Sequence, residues 1–181
     1  SFDEHKVEEI LQAMRADSSN AEAQRRGCEA LFQACGSCVS AVKENQVLAL
    51  KLGGVELVLK AMKTHSNTAE VQQWCCAALR SLCYYNTDMC SSIGQQGGIQ
   101  LIFSAMKSFP HNASVQQYGI AALRSLACEN NNNIAIGTEG GIELIIDSMR
   151  RYPNAEAVLI QCCVALGNLA YRLDSIRVAI G

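Results

Sequence analysis

Histidine, proline, net charge and long apolar runs are all in short supply in this chain, and most of these shortages remove a class of function. The three histidines, His5, His65 and His111, lie near one end and between helical stretches. A nucleophile would find neither a base nor an orienting partner there, so enzymatic catalysis is not expected. No ligand set converges on these histidines, and neither a metal nor another cofactor is expected. Against 17 acidic residues stand 15 lysines and arginines, a net charge of −2. That balance leaves no general electrostatic footprint for nucleic acid or a membrane surface. No apolar run approaches the roughly 18 residues of a membrane span. The start, SFDEHKVEEI, is acidic where a signal peptide would be basic and then apolar. The expectation is a soluble intracellular segment, cytoplasmic or nuclear, whose partner is recognised by a local patch.

What the chain does have is repetition. Gly53-Gly54-Val55, Gly97-Gly98-Ile99 and Gly140-Gly141-Ile142 open matching segments, spaced 44 and then 43 residues apart. Met14, Met62, Met106 and Met149 line up, as do Leu31, Leu79, Leu123 and Leu166, so a more divergent copy precedes the first glycine pair. The interval from Leu31 to Leu79 is 48, which implies about four residues inserted after Leu31. A period in the low forties with helical hydrophobic spacing predicts an all-α fold, a right-handed solenoid of about four stacked copies that bury their apolar faces on one another. The copies are expected at 1–36 (partial), 37–84, 85–128 and 129–172 of one domain, with 173–181 beginning another.

Ten cysteines raise the question of disulfides or zinc. In the repeat register Cys28, Cys76 and Cys163 share a position with Ile120; Cys75 and Cys162 share one with Gly27 and Gly119; Cys35 and Cys83 share one with Ala127 and Ala170. Cysteine here replaces small or apolar residues, as a reduced, buried thiol does. Cys35-Gly-Ser-Cys38 is a CxxC, but without a second one or a nearby histidine it predicts no metal site.

Within each copy, Val7, Ile10, Leu11 and Met14 fall at i, i+3, i+4 and i+7, and the stripe returns as Val55, Val58, Leu59 and Met62, as Ile99, Ile102, Phe103 and Met106, and as Ile142, Ile145, Ile146 and Met149. Glu8/Gln12, Glu56/Lys60, Gln100/Ser104 and Glu143/Asp147 form the opposite, solvated face. Asn20, Asn67, Asn112 and Asn154 are placed to cap the helices that follow, at about 21–35, 69–84, 113–128 and 155–171. His65 and His111 fall in the turns before those caps and are expected to face solvent. Gly119, costly in an exposed helix, implies close packing. Short helices ending in Ile-Gly link the copies, and Asn130–Asn133 is expected as a polar linker.

The segments NTDMCSSIGQQGGIQLIFSAM and ENNNNIAIGTEGGIELIIDSM, with the endings AALRSLCYYN, AALRSLACEN and VALGNLAYRL, resemble the armadillo repeat over nearly the whole chain. That resemblance implies a binding scaffold whose long helices line a concave groove. It carries the family's asparagine ladder to Gln33, Ser81, Ser125 and Asn168, of which only the last is asparagine. The tryptophan positions of its nuclear-transport branch fall on Glu29, Ala77, Ala121 and Val164, where no aromatic stands.

The groove stripe is therefore expected to comprise Gln73, Arg80, Ser81, Tyr84, Gln117, Arg124, Ser125, Asn168 and Tyr171, binding an extended or helical protein segment with acidic residues. The competing readings are an ordinary solvated stripe, a nuclear-transport-like peptide adaptor and a nucleic-acid-binding helical repeat. Trp74 is expected to pack at a boundary between copies, with ligand contact as the alternative. Because Val158, Cys162, Ala165, Leu166 and Leu169 keep the inner-copy pattern, further repeats downstream and end-to-end self-association through this face are also expected.

Overall fold

The computed structural model describes residues 2–36 and 42–180, with side chains described for 5–36 and 42–171. Among the described residues there are eleven helices and no strand: α1 (Phe2–Ala16), α2 (Ala21–Gly36), α3 (Val42–Lys51), α4 (Gly54–Thr64), α5 (Ala69–Leu82), α6 (Thr87–Gln95), α7 (Gly98–Ser108), α8 (Ala113–Leu126), α9 (Asn130–Thr138), α10 (Gly141–Arg151) and α11 (Glu156–Ile180). None is long and apolar enough to cross a membrane. After the opening pair the order is a triplet of short, middle and long helix, three times over. The long helices α2, α5, α8 and α11 pack side by side in chain order, as do the middle helices α1, α4, α7 and α10.

The apolar stripes become the core. Val7, Leu11, Met14, Val55, Val58, Met62, Ile99, Ile102, Met106 and Ile145 are buried, while Ile142, Ile146 and Met149 of the last middle helix are partly buried. Glu8, Gln12, Glu56, Lys60, Gln100, Ser104, Glu143 and Asp147 are all exposed, as the spacing predicts. Gly119 lies against Met106, where an added Cβ would come within 2.8 Å of the methionine Cγ. In each Gly-Gly pair the first residue takes a left-handed φ of 69, 80 or 95°, which glycine adopts without a Cβ clash. The second lets the preceding helix approach: a Cβ on Gly98 would sit 2.8 Å from the Ile93 carbonyl, and one on Gly141 2.5 Å from that of Ile136.

The helix ends show a device that periodicity conceals. The last carbonyls of a helix have no partner within it, and here a glutamine of the following long helix supplies one. Gln24 Nε2 donates to the carbonyls of Met14 and Asp17 at 2.9 Å each; Gln72 Nε2 donates to Met62 and His65 at 3.0 Å each; Gln116 Nε2 donates to Met106 and Phe109 at 2.9 and 3.0 Å. All three glutamines are buried. The fourth copy has Leu159 in this register. Successive turns are also joined: His65 Nε2 meets the Ser18 carbonyl at 3.1 Å and Tyr152 Oη donates to the Pro110 carbonyl at 3.1 Å. His65 is thus buried, contrary to its expected exposure, because the neighbouring turn covers it.

Other expectations are corrected at the helix ends. Asn20 and Asn112 cap as expected, accepting from Ala23 N at 3.2 Å and Val115 N at 3.0 Å. Thr68, not Asn67, precedes α5 and makes no side-chain cap bond. In α11 the first carbonyl used is that of Ala155, one residue beyond Asn154. Asn130–Asn133 is no linker but the first half of α9: Glu129 accepts from the amides of Asn131 and Asn132, and Asn132 Nδ2 donates to the Cys90 carbonyl at 2.8 Å. Finally, α11 runs unbroken to Ile180 instead of stopping near 171. Where Asn86 and Glu129 cap the next short helix in the earlier copies, the sequence here has Arg172 and Leu173, which offer no capping acceptor.

That missing break leaves a residue stranded. Gln46 of α3 donates to the carbonyls of Ser81 and Tyr84 at the end of α5, at 2.8 and 3.0 Å. In register with it, Asn133 of α9 is fully buried, and neither its Nδ2 nor its Oδ1 has a partner, because the helix it faces does not end there. A buried amide without partners costs about 1–3 kcal/mol. The near-isosteric Asn133→Leu should therefore leave stability unchanged or raise it by about 1 kcal/mol, whereas Gln72→Met should lower it by about 2 kcal/mol. Urea unfolding followed by circular dichroism checks both, and an equal loss in the two variants would show that Asn133 is bonded.

Candidate binding groove

The stripe of each long helix that faces away from the middle helices is set by helical spacing. On α5 it runs through Gln73, Trp74, Ala77 and Arg80, with Tyr84 just beyond the helix end, and on α8 through Gln117, Tyr118, Ala121 and Arg124, with Cys128 just beyond it. Gln73, Arg80, Gln117 and Arg124 are half-buried, Tyr84 is exposed, and Ala77 and Ala121 are buried beneath them.

Three rings meet on this face. Phe32 of α2 lies 5.9 Å from Trp74 of α5 and 6.0 Å from Tyr118 of α8, and Trp74 lies 6.1 Å from Tyr118, centroid to centroid. Offset and edge contacts of this kind add about 0.5–1.5 kcal/mol per pair beyond the area they bury. Trp74 also packs against the hydrophobic core, as its expected boundary role requires. Phe32 escaped the sequence reading because it shares its register with Arg80 and Arg124 and lies six residues out of step with Trp74 and Tyr118.

Charge divides the stripe into a neutralised end and an open centre. On α2, Arg25 is bonded to Glu22 and Glu29 at 2.7 Å each, and Arg26 to Glu22 at 2.6 Å. Hydrogen bonds from Arg25 and then Arg26 hold the Glu22 carboxyl down at about 2, against an ordinary value of 4.5. Arg80 and Arg124 have no acidic side chain within ion-pair distance among the described residues. Burial first, and then repulsion from Arg80, lower the Arg124 guanidinium from its usual range, with Tyr84 acting the other way. Two neighbouring cations that are partly stripped of water and lack a counter-charge are relieved by an anion from outside.

The remaining sequence-picked residues scatter. Ser81 is buried, its Oγ has no partner, and the end of α2 at Gly36 crowds it; it is not on the surface where the register put it. Ser125 turns its hydroxyl to the Ala121 carbonyl of its own helix at 3.1 Å. Asn168 and Tyr171 on α11 are exposed. The residues that the sequence reading missed, Gln72 and Gln116, stand directly before Gln73 and Gln117, and their recurrence with Gln24 at one register is the signal that marks them.

Among the described residues no three His, Cys, Asp or Glu side chains are placed to share a metal ion. The nine described cysteines form no disulfide, and Cys38 of the CxxC lies outside the described residues. Cys163 is exposed, unlike Cys28 and Cys76 in its register. No protein-family model, curated protein or solved structure matches this chain.

Because Glu22 titrates lower when folded, its ion pairs contribute fully above about 4.5 and are lost as pH falls toward 2. A carboxyl NMR titration should place its midpoint near 2 in the intact chain and near 4.5 once both Arg25 and Arg26 are replaced by alanine.

Proposed function

We propose that this chain is a non-enzymatic interaction scaffold, an armadillo-type right-handed α-solenoid of about four units in one domain. Its concave groove binds an extended or helical partner segment carrying acidic residues, in the cytoplasm or nucleus. Repeated helix triplets packed in chain order support the solenoid. So does the ring cluster: side chains of α2 and α8 meet across α5, as they do on a face that bends inward.

The observation that carries the function is the Arg80–Arg124 pair, without an acidic partner among the described residues, on adjacent long helices at the centre of that face. Carboxylates of a partner bond guanidinium groups in paired, charge-assisted geometry, and the amides of Gln73 and Gln117 flank them to take its backbone groups. A fluorescein-labelled Glu-rich peptide titrated by anisotropy tests this. Arg80→Glu with Arg124→Glu should weaken binding at least roughly tenfold, while the melting temperature stays within a few degrees. Trp74, the single tryptophan, should report the same titration by its emission. Unchanged binding in the double variant moves the site to another face. Binding of an oligonucleotide instead, with a steep salt dependence, would favour a nucleic-acid scaffold.

The open face of α11 fits end-to-end self-association. Ile160 and Val164 are exposed there, whereas Ala77 and Ala121, in register with Val164, are buried. Sedimentation should show concentration-dependent dimers that Ile160→Asp removes.

A further inference from the structure

Two pairs of thiols touch in the interior. Cys28 Sγ of α2 and Cys75 Sγ of α5 are 3.5 Å apart, and both residues are fully buried. Cys90 Sγ of α6 lies 3.2 Å from the Sγ of Cys128, just beyond the end of α8, and here Cys90 is buried while Cys128 is only half-buried. The second pair occupies a position with a structural task. In the preceding unit Gln46 stands there and ties its short helix to the carbonyls of Ser81 and Tyr84 at the end of the long one. Cys90 does this more weakly, its thiol reaching the Ser125 carbonyl at 3.4 Å and the Cys83 carbonyl at 3.5 Å.

We propose that Cys90 and Cys128 are a reversible oxidation site, in which hydrogen peroxide converts this weak thiol contact between α6 and the end of α8 into a disulfide. Closing 3.2 Å to a bond of about 2.05 Å asks the sulfurs to move by about 1 Å in total. Cys128, the sulfur nearer solvent, attacks one peroxide oxygen; the O–O bond breaks, the sulfur becomes a sulfenic acid, and water leaves. The Cys90 sulfur then attacks the Cys128 sulfur, the S–O bond breaks, and the Cys90 proton departs with the hydroxyl as a second water. Two thiols lose two hydrogens in all and one peroxide is reduced. The Cys128 contact favours the Cys90 thiolate, but the hydrogen bond with Cys83 and burial prevail and raise the Cys90 thiol above its usual range, which makes Cys90 the second to react. The Cys28–Cys75 pair is an internal control, since it offers an oxidant no accessible sulfur.

The test treats the folded full chain with hydrogen peroxide, blocks remaining thiols with N-ethylmaleimide, and searches tryptic digests for a linked pair that dithiothreitol separates. The expected product joins the fragment holding Cys90 to the one holding Cys128, with Cys28 and Cys75 alkylated only after unfolding. The melting temperature of the oxidised chain should rise by roughly 5–10 °C. Cys128→Ser and Cys90→Ser should each abolish the link, and Cys83→Ser, which lies on the same fragment as Cys90, should leave it. Recovery of both Cys90 and Cys128 as thiols at a dose that fully oxidises exposed Cys163 would overturn the proposal. So would a link that persists in Cys90→Ser, or one that forms first between Cys28 and Cys75. The wild-type digest decides the matter even where a variant fails to fold.

Discussion

One buried amide, donated twice, is what satisfies the ends of α1, α4 and α7. A helix of 11 residues such as α4 or α7 is marginal alone, and its final carbonyls would be stranded in an apolar interior. Gln24, Gln72 and Gln116 reach back from α2, α5 and α8 to these carbonyls and tie the start of each of those three helices to the turn before it. On α5 and α8 that tie orients the stripe that carries Gln73, Arg80, Gln117 and Arg124. No local pattern requires the meeting of Phe32, Trp74 and Tyr118.

The repeating hydrophobic stripes, the Gly-Gly turns and the solvated faces were legible because each obeys a period or a backbone rule that a single sequence displays. What stayed hidden were the departures from period. Gln116 and Gln117 look alike in sequence, yet one satisfies buried carbonyls and the other edges the groove; only the 100° between neighbouring residues on a helix separates them. The pattern places His65 in a solvated turn, Asn132 in a polar linker and Ser81 in the groove stripe, and all three are buried, each beside residues from distant parts of the chain. The unbroken course of α11 depends on the absence of a cap, a negative signal at two positions that hydrophobic spacing does not register.

Charge distinguishes α5 and α8 from α2 on this face. On α2 the acids Glu22 and Glu29 lie one helical turn or less from the arginines and consume them. On α5 and α8 the place of Glu29 is taken by Ala77 and Ala121, and Glu70, which keeps the register of Glu22 on α5, lies ten residues before Arg80. The same substitution that lets the long helices carry buried alanines beneath the stripe also leaves no acid one helical turn before Arg80 or Arg124. Packing and charge are thus set by one pair of positions.

The contact between Phe32 and Tyr118 has a thermodynamic meaning as well. Arrays of stacked units are described by an intrinsic term for each unit and a coupling term for each adjacent pair. A ring contact that skips a unit adds a second-neighbour coupling, small beside the direct interfaces of α5 with α2 and α8 but absent from a strictly nearest-neighbour array. Loss of α2 therefore also removes a contact from α8, a helix with which it shares no extended interface, and the two are linked through the rings and not through the helix between them alone.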